Sequence, residues 1–371
     1  MDIGEHTGGT WAPPAPETIV PVVPPFGYGE WPPPVGPPVT GRRRPGWATA
    51  VICILAGVMA VAGMAAVGFV LPEEYPSHWD ARVAGLVDFV ERERGLEFRH
   101  PVAVDFLGEE EFVATVTTDE ADLSESDRGD IEDDEAVARA LGLAGTTTDF
   151  LAAENALSGE GILAFYDSEW KRITVRGTEM TVGLRITLVH ELVHVLQDQH
   201  FDLSRKGSFA TAAQNSAFEA VVEGDAVSIE NLYYWSLPDA ERADYDAELA
   251  GQVEDLEAGT AGVPGWMTAL AQAPYALGEP FVTALVAARG PEAVDEALRH
   301  PPATEEQLMD VRRFLAGDDR RKLATPDLAA GERLIEERDF GTLAWLFMLA
   351  ERIPALDALA AADGWGGDAY V

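Results

Sequence analysis

Apolar residues recur at helical spacing in two long segments near the middle of the chain. The first segment covers roughly 179–199 and the second covers roughly 211–236. An apolar residue at every third or fourth position places these side chains along one face, so the pattern predicts two long, partly buried helices. Shorter stretches with the same periodicity predict further helices at 78–94, 274–289, 292–299, 304–315 and 340–350.

Strand-like patterns precede the first long helix. Residues 161–177 contain two runs of β-forming residues, at 162–166 and 172–176, on either side of a polar turn. This arrangement predicts a β-hairpin. Weak alternation over 101–107 predicts one more strand. The predicted helices outnumber the predicted strands, and the part of the chain after the hairpin is predicted to be mostly helical.

The N-terminal part of the chain has a different composition. Residues 1–46 hold half of the 24 prolines, and proline lacks a backbone donor, so this segment is predicted to be a disordered tail. Residues 47–71 carry no charge. At about 1.5 Å per residue they reach roughly 37 Å, enough for a hydrocarbon core of ~30 Å, and they predict a single transmembrane helix.

Charge around this apolar segment predicts its orientation. Three arginines at 42–44 precede it, so the positive-inside rule predicts a cytoplasmic tail and an extracytoplasmic domain at 72–371. A cleavable signal peptide is the alternative, because Ala60-Val61-Ala62 resembles a cleavage site.

Overall composition narrows the functional classes. The chain has 371 residues with a net charge of −38, which argues against a nucleic-acid partner because phosphates would be repelled. Cys53 is the single cysteine, so an internal disulfide is impossible.

Residues suited to metal chemistry lie in the first long helix. His190 and His194 are four positions apart, so both imidazoles leave one helix face, as two ligands of a tetrahedral Zn²⁺ require. Glu191 lies beside this pair, where it can take a proton from a water molecule that zinc has made more acidic. The flanking residues are uncharged, and burying this trio without a partner would cost several kcal/mol.

The segment resembles the zincin metallopeptidases, whose motif is HExxH with uncharged flanks; the matching residues are Thr187, Leu188, Leu192, Val193, Val195 and Leu196. The resemblance implies an α+β catalytic domain in which the edge strand of a small sheet binds an extended peptide above the active-site helix. The hairpin at 161–177 is the candidate for that edge. It also implies one Zn²⁺ per chain and an endopeptidase that hydrolyses peptide bonds with water activated by zinc and Glu191.

The third metal ligand is expected in the second long helix. The gluzincins, one branch of the zincins, supply a glutamate from the helix that follows the motif, and Glu223 occupies a similar place in this chain. Glu219, Glu223 and Glu230 fall on one face of the helix predicted at 211–236. Glu223 is therefore the predicted ligand, and Glu219 is an alternative.

A competing ligand lies six residues after His194. His200 has the spacing of the third histidine of the metzincins, another zincin branch. That family has a glycine midway, where the chain turns. This sequence has Gln197 there, which favours a continuing helix.

Other residues are candidates for supporting roles. Asp198 and Asp225 are candidate hydrogen-bond partners of the metal-binding histidines, with ordinary surface acids as the alternative. Tyr166, Tyr233 and Tyr234 are candidate stabilisers of an oxyanion, with ordinary core or surface aromatics as the alternative. Two other functions remain open: a catalytically silent zincin-fold ectodomain that binds or scaffolds, and a metal-dependent hydrolase with a non-peptide substrate.

Overall fold

The structure, a computed structural model, describes residues 75–334 and 337–371. The predicted tail at 1–46 and the predicted transmembrane helix at 47–71 lie outside these residues. Among the helices that the structure describes, none combines the length and the apolar character needed to cross a membrane.

The described chain is rich in helices and contains one small sheet, which agrees with the predicted α+β class. The elements up to the hairpin are α1 (Ala84–Arg94), β1 (Ala103–Leu107), α2 (Glu109–Val116), α3 (Glu125–Ala140), α4 (Phe150–Gly161), β2 (Ala164–Asp167) and β3 (Arg172–Arg176). The elements after it are α5 (Val182–Phe201), α6 (Ala212–Ser236), α7 (Asp239–Gly259), α8 (Gly265–Arg289), α9 (Glu292–Arg299), α10 (Glu305–Met309), α11 (Val311–Ala316), α12 (Gly341–Ala350) and α13 (Ala355–Ala362).

The sheet has three strands in the order β1-β3-β2, so β2 is an edge strand. β1 runs parallel to β3, and β2 runs antiparallel to it. The Arg176 amide donates to the Leu163 carbonyl at 2.8 Å, and bonded pairs alternate along an antiparallel ladder. The backbone amide and carbonyl groups of Ala164 and Tyr166 therefore point away from β3, towards the free edge of the sheet.

The helix α5 lies against β2 on one side and against α6 on the other. Thr181 begins it by accepting a hydrogen bond from the Leu184 amide at 3.1 Å, and it ends at Asp202, whose φ is 61°. Apolar side chains such as Leu188 and Leu192 are completely buried in the core that α5 shares with α1 and the sheet. The prediction of two long helices at 179–199 and 211–236 is thus confirmed.

The helices α6 and α8 approach each other backbone to backbone. A Cβ atom on Gly224 would lie 2.2 Å from the carbonyl carbon of Gly278, and one on Gly278 would lie 1.9 Å from the Ala220 carbonyl oxygen. Only glycine fits at either position, because such distances are far below van der Waals contact. Gly224 follows Glu223 directly in the sequence, so this close crossing holds α8 next to Glu223.

Several predicted boundaries were wrong. The helix predicted at 274–289 begins at Gly265, and it continues through Pro274 and Pro280. The helix predicted at 304–315 is two short helices that meet at Asp310, and α7 has no counterpart in the sequence prediction.

Candidate metal centre

Two histidines on α5 and one glutamate on α6 form the centre of the site. The rings of His190 and His194 lie one helical turn apart, with centroids 4.6 Å apart and planes at 85°. Glu223 Oε2 lies 3.1 Å from His190 Nε2 and 3.3 Å from His194 Nε2. The ligand atoms of the three residues lie within 4.8 Å of one another, so the group could hold a metal ion.

Hydrogen bonds behind the histidines determine which ring nitrogens face this centre. His190 Nδ1 lies 3.0 Å from Glu230 Oε2, and His194 Nδ1 lies 2.9 Å from Gln197 Oε1. Both oxygens are acceptors, so the Nδ1 atom of each ring carries a proton, and the Nε2 atom is the one left to give a lone pair to a bound cation. Two lone pairs and a carboxylate oxygen then converge on one small space. This donor set fits a divalent cation, and two histidines with one glutamate are a common ligand set of catalytic zinc.

The orientation of the Gln197 amide is itself fixed. Its Nε2 group donates to the Val222 carbonyl and to Asp225 Oδ2, each at 2.9 Å, which leaves Oε1 for His194. Asp225 is held in turn by Arg94, whose guanidinium lies 2.9 Å away. Asp225, a predicted partner of the histidines, therefore reaches His194 only through Gln197.

Electrostatics couple the histidine on α5 to the glutamates on α6. Burial lowers the pKa of His190, but the hydrogen bonds that the ring donates to Glu223 and Glu230 outweigh burial and raise that pKa well above its usual value. Burial raises the pKa of Glu223, but the charge of His194 and the hydrogen bond from His190 hold it well below its usual value. A metal-free centre therefore holds a proton where a cation would bind.

Glu191 lies at the edge of this centre, next to the sheet. Its Oε2 atom accepts a hydrogen bond from the Tyr166 amide on β2 at 2.8 Å. Burial, the largest influence, raises its pKa above the usual value. Glu191, Tyr166 and the three ligand residues all line one cleft of about 1920 Å³.

The tyrosines predicted as oxyanion stabilisers have other partners. The Tyr166 hydroxyl donates to Asp198 Oδ2 at 2.6 Å, and the Tyr234 hydroxyl donates to Asp246 at 3.1 Å. Tyr233 packs edge-on against Phe89 in the core. Asp198 accordingly binds the hairpin and not a histidine, contrary to expectation.

Sequence reasoning missed one aromatic residue of the site, Tyr275 on α8. Its ring stacks on His190 with centroids 6.0 Å apart, and its hydroxyl lies within hydrogen-bonding reach of Glu223. Burial and the charges of Glu223, Glu191 and Glu230 raise its pKa well above the usual value, so the phenol keeps its proton and can donate. No local signal marks it: Tyr275 follows Pro274 in an alanine-rich stretch far from the HExxH motif.

The two alternative ligands lie elsewhere. His200 Nε2 lies 2.9 Å from the Glu97 carbonyl oxygen, in the loop after α1. Glu219 lies in the cleft, with Lys206 Nζ 3.9 Å away. Within residues 75–334 and 337–371, the grouping that could hold a metal is thus the predicted one of His190, His194 and Glu223.

Comparison with known proteins gives no match: no family model, no curated protein and no solved structure matches this chain. The resemblance to the zincins therefore rests on the HExxH motif and its flanking residues.

Proposed function

We propose that the protein is a zinc-dependent endopeptidase of the gluzincin type, with residues 72–371 as its catalytic domain. One observation carries this proposal: the two motif histidines and a glutamate from the following long helix converge on one small space, beside Glu191 and a free strand edge. His190, His194 and Glu223 would hold the ion. When bound, Zn²⁺ would supply a Lewis acid that polarises the scissile carbonyl and makes a water molecule more acidic.

Glu191 is the proposed general base. One of its carboxylate oxygens is occupied by the Tyr166 amide, which leaves the other to accept a proton from the attacking water. Its raised pKa brings the group closer to neutral pH, where an acid–base catalyst is most effective. The same carboxyl then passes the proton to the departing amine, so the peptide bond breaks with no net proton change at Glu191.

The free edge of β2 is the proposed binding site for the substrate backbone. Ala164 and Tyr166 direct backbone groups towards the cleft, and an extended peptide can add to such an edge as a further strand. Main-chain pairing of this kind holds a peptide or protein substrate without requiring a particular side chain at each position.

Tyr275 is the proposed donor to the oxyanion of the tetrahedral intermediate. Its hydroxyl is protonated and lies next to Glu223, at the side of the cleft formed by α8. A protonated phenol beside the reacting carbonyl would stabilise the charge that develops on oxygen during attack.

The proposed location follows from the N-terminal sequence. Residues 47–71 would anchor the protein in a membrane as a single pass, with the tail at 1–46 in the cytoplasm and the catalytic domain outside. The uncharged character of 47–71 and the arginines at 42–44 support this arrangement.

The substitution Glu191→Gln tests the proposed function. It keeps the size of the side chain and its acceptor for the Tyr166 amide, but removes the basic carboxylate. We expect hydrolysis of a denatured protein mixture to fall by about 10²-fold or more while zinc content is unchanged. The control is Glu110→Gln, the same change at an exposed position on α2, and this variant should cleave at the wild-type rate.

Two outcomes would contradict the proposal. Cleavage by Glu191→Gln at the wild-type rate would remove this residue from the mechanism. Zinc bound at one per chain with no cleavage of any protein in the mixture would favour the catalytically silent binding ectodomain instead.

A further inference from the structure

Two acidic side chains on α5 face the hairpin. Glu191 and Asp198 are seven positions apart, so they lie on the same helix face, two turns and about 10 Å from each other. The Asp198 side chain is only 2% exposed. Its Oδ1 atom accepts a hydrogen bond from the Leu203 amide at 2.9 Å, which fixes the carboxylate at the end of the helix.

Tyr166 contacts both of these carboxylates. Its amide donates to Glu191 Oε2 at 2.8 Å, and its hydroxyl donates to Asp198 Oδ2 at 2.6 Å. The same Asp198 oxygen accepts from Lys171 Nζ at 2.7 Å, and Lys171 lies in the hairpin turn with φ at 50°. The strand β2 and its turn are thus joined to α5 at two separate points.

Ala164 is buried in the core that α5 shares with the sheet, and the polar attachment through Tyr166 adds to the contacts that hold β2 in place. The strand β2 is four residues long and pairs on one side only, with β3. Hydrogen bonds to a buried carboxylate are charge-assisted and stronger than neutral ones. Without the bond to Asp198, the Tyr166 ring could tilt away from α5 and carry its own amide with it.

We propose that Tyr166 is the positioning residue of this site: its two bonds, to Glu191 and to Asp198, hold the substrate-binding edge and the general base together as one unit. This inference rests on the proposed peptidase function for its catalytic consequence. It gives Asp198 and Lys171 a role that differs from that of the metal ligands, since they act through the strand.

A register for the substrate follows. The Tyr166 amide is occupied by Glu191, so the next groups along β2 that face the edge are the amide and carbonyl of Ala164. An extended substrate would pair beside Ala164, and its scissile bond would lie next to Tyr166. Peptides long enough to reach Ala164 should depend on the attachment, and very short ones should not.

The first test measures the strand itself and needs no substrate. Tyr166→Phe removes only the hydroxyl. In the full-length zinc-loaded protein we expect amide hydrogen exchange over 164–167 to rise by about tenfold or more, with unchanged zinc content. Tyr234→Phe is the matched control, because it removes another tyrosine–aspartate hydrogen bond, far from β2, and should leave this exchange unchanged. Unchanged exchange over 164–167 in Tyr166→Phe would overturn the proposal.

The second test separates positioning from general damage. A bond cleaved in the denatured protein mixture would be placed in a peptide of about ten residues and in a blocked one of about four. For Tyr166→Phe we expect KM to rise about tenfold for the long peptide and to stay within about twofold for the short one. An equal loss for both peptides, together with lost zinc, would show a structural role only.

A double-mutant cycle completes the design. Asp198→Ala removes the Tyr166 bond together with the Lys171 ion pair, so it should raise KM at least as much as Tyr166→Phe, and the double variant should be no worse than Asp198→Ala alone. Additive effects of the Tyr166 and Asp198 substitutions on KM would show that the two residues act independently and would overturn the proposal. If the wild type cleaves no peptide, the proposed function fails, and the exchange experiment still decides whether Tyr166 holds the strand.

Discussion

Two buried carboxyl groups in this protein have pKa values shifted in opposite directions. At the metal centre, Glu223 is 9% exposed and lies against two imidazoles, which hold its pKa well below the usual value. Glu305, the first residue of α10, is completely buried, and burial, followed by the charges of Asp339 and Asp368, raises its pKa to about 8 in spite of a hydrogen bond from the Thr342 amide at the start of α12. Its Oε1 atom has no hydrogen-bond partner among the described residues.

The difference shows that burial alone does not make a functional acid. Glu223 stays ionised because groups able to carry positive charge face it, and those same groups can bind a cation with it. Glu305 keeps its proton at neutral pH because no comparable group compensates for the lost water. Each of the following substitutions tests one side of this contrast.

The largest effect is expected for Glu223→Ala. It reduces the centre to two ligands on one helix, and we expect zinc affinity to fall by at least about a hundredfold. His200→Ala is the comparison and should cost little, because that imidazole contacts the Glu97 carbonyl. Zinc content after dialysis against a weak chelator is the measurement, with circular dichroism to show that both variants are folded. Loss of metal in the His200 variant alone would mean that the metzincin spacing is the correct assignment.

A smaller effect is expected for Glu230→Gln. The amide oxygen can still accept from His190 Nδ1, but the negative charge that makes the imidazole a better ligand is gone. We expect zinc affinity to fall about tenfold, measured by competition with a chelator. Glu219→Gln is the control, because the Glu219 carboxyl lies on the same helix but near Lys206 instead of a histidine. The zinc affinity of this variant should match that of the wild type. Equal losses of zinc affinity in both variants would show that Glu230 acts only through the overall negative charge near the site.

The smallest effect is expected for Glu305→Gln, and it appears in the pH dependence of stability. The folded-state pKa, about 8, lies above the usual 4.5, so folding favours the protonated form. That stabilisation is complete below about pH 4.5 and is lost as pH rises through about 8. The glutamine side chain cannot ionise, so the Tm of the Glu305→Gln variant should fall less than that of the wild type between about pH 5 and about pH 8. Parallel Tm curves would show that Glu305 is already ionised at neutral pH.

The sequence predicted the part of the site that is local along the chain. His190, Glu191 and His194 share one helix, and helical periodicity alone brings them together. Glu223 was predictable as well, because the second long helix follows directly and its acidic face is visible in the sequence. Both long helices could be predicted for the same reason, since burial on one face leaves a regular apolar pattern.

The remainder depends on contacts between distant segments. Tyr275 reaches the centre only because α8 crosses α6, and nothing near Tyr275 in the sequence records that crossing. The sequence prediction missed the helix α7 because α7 buries only Tyr245 and Leu249, which are too few to produce a helical apolar pattern. Asp198 was expected near a histidine, but its helix face turns towards the hairpin instead, which only the tertiary arrangement determines.

The glycine contact between α6 and α8 limits how this site can evolve. Most distances in a protein can be adjusted in small steps, because one side chain can be exchanged for a slightly larger or smaller one. Gly224 and Gly278 allow no such step: the smallest increment, one methyl group, already exceeds the room between the helices. The separation of Tyr275 from Glu223 can therefore change only by moving a whole helix, and we expect homologous chains to keep both glycines as strictly as they keep the histidines.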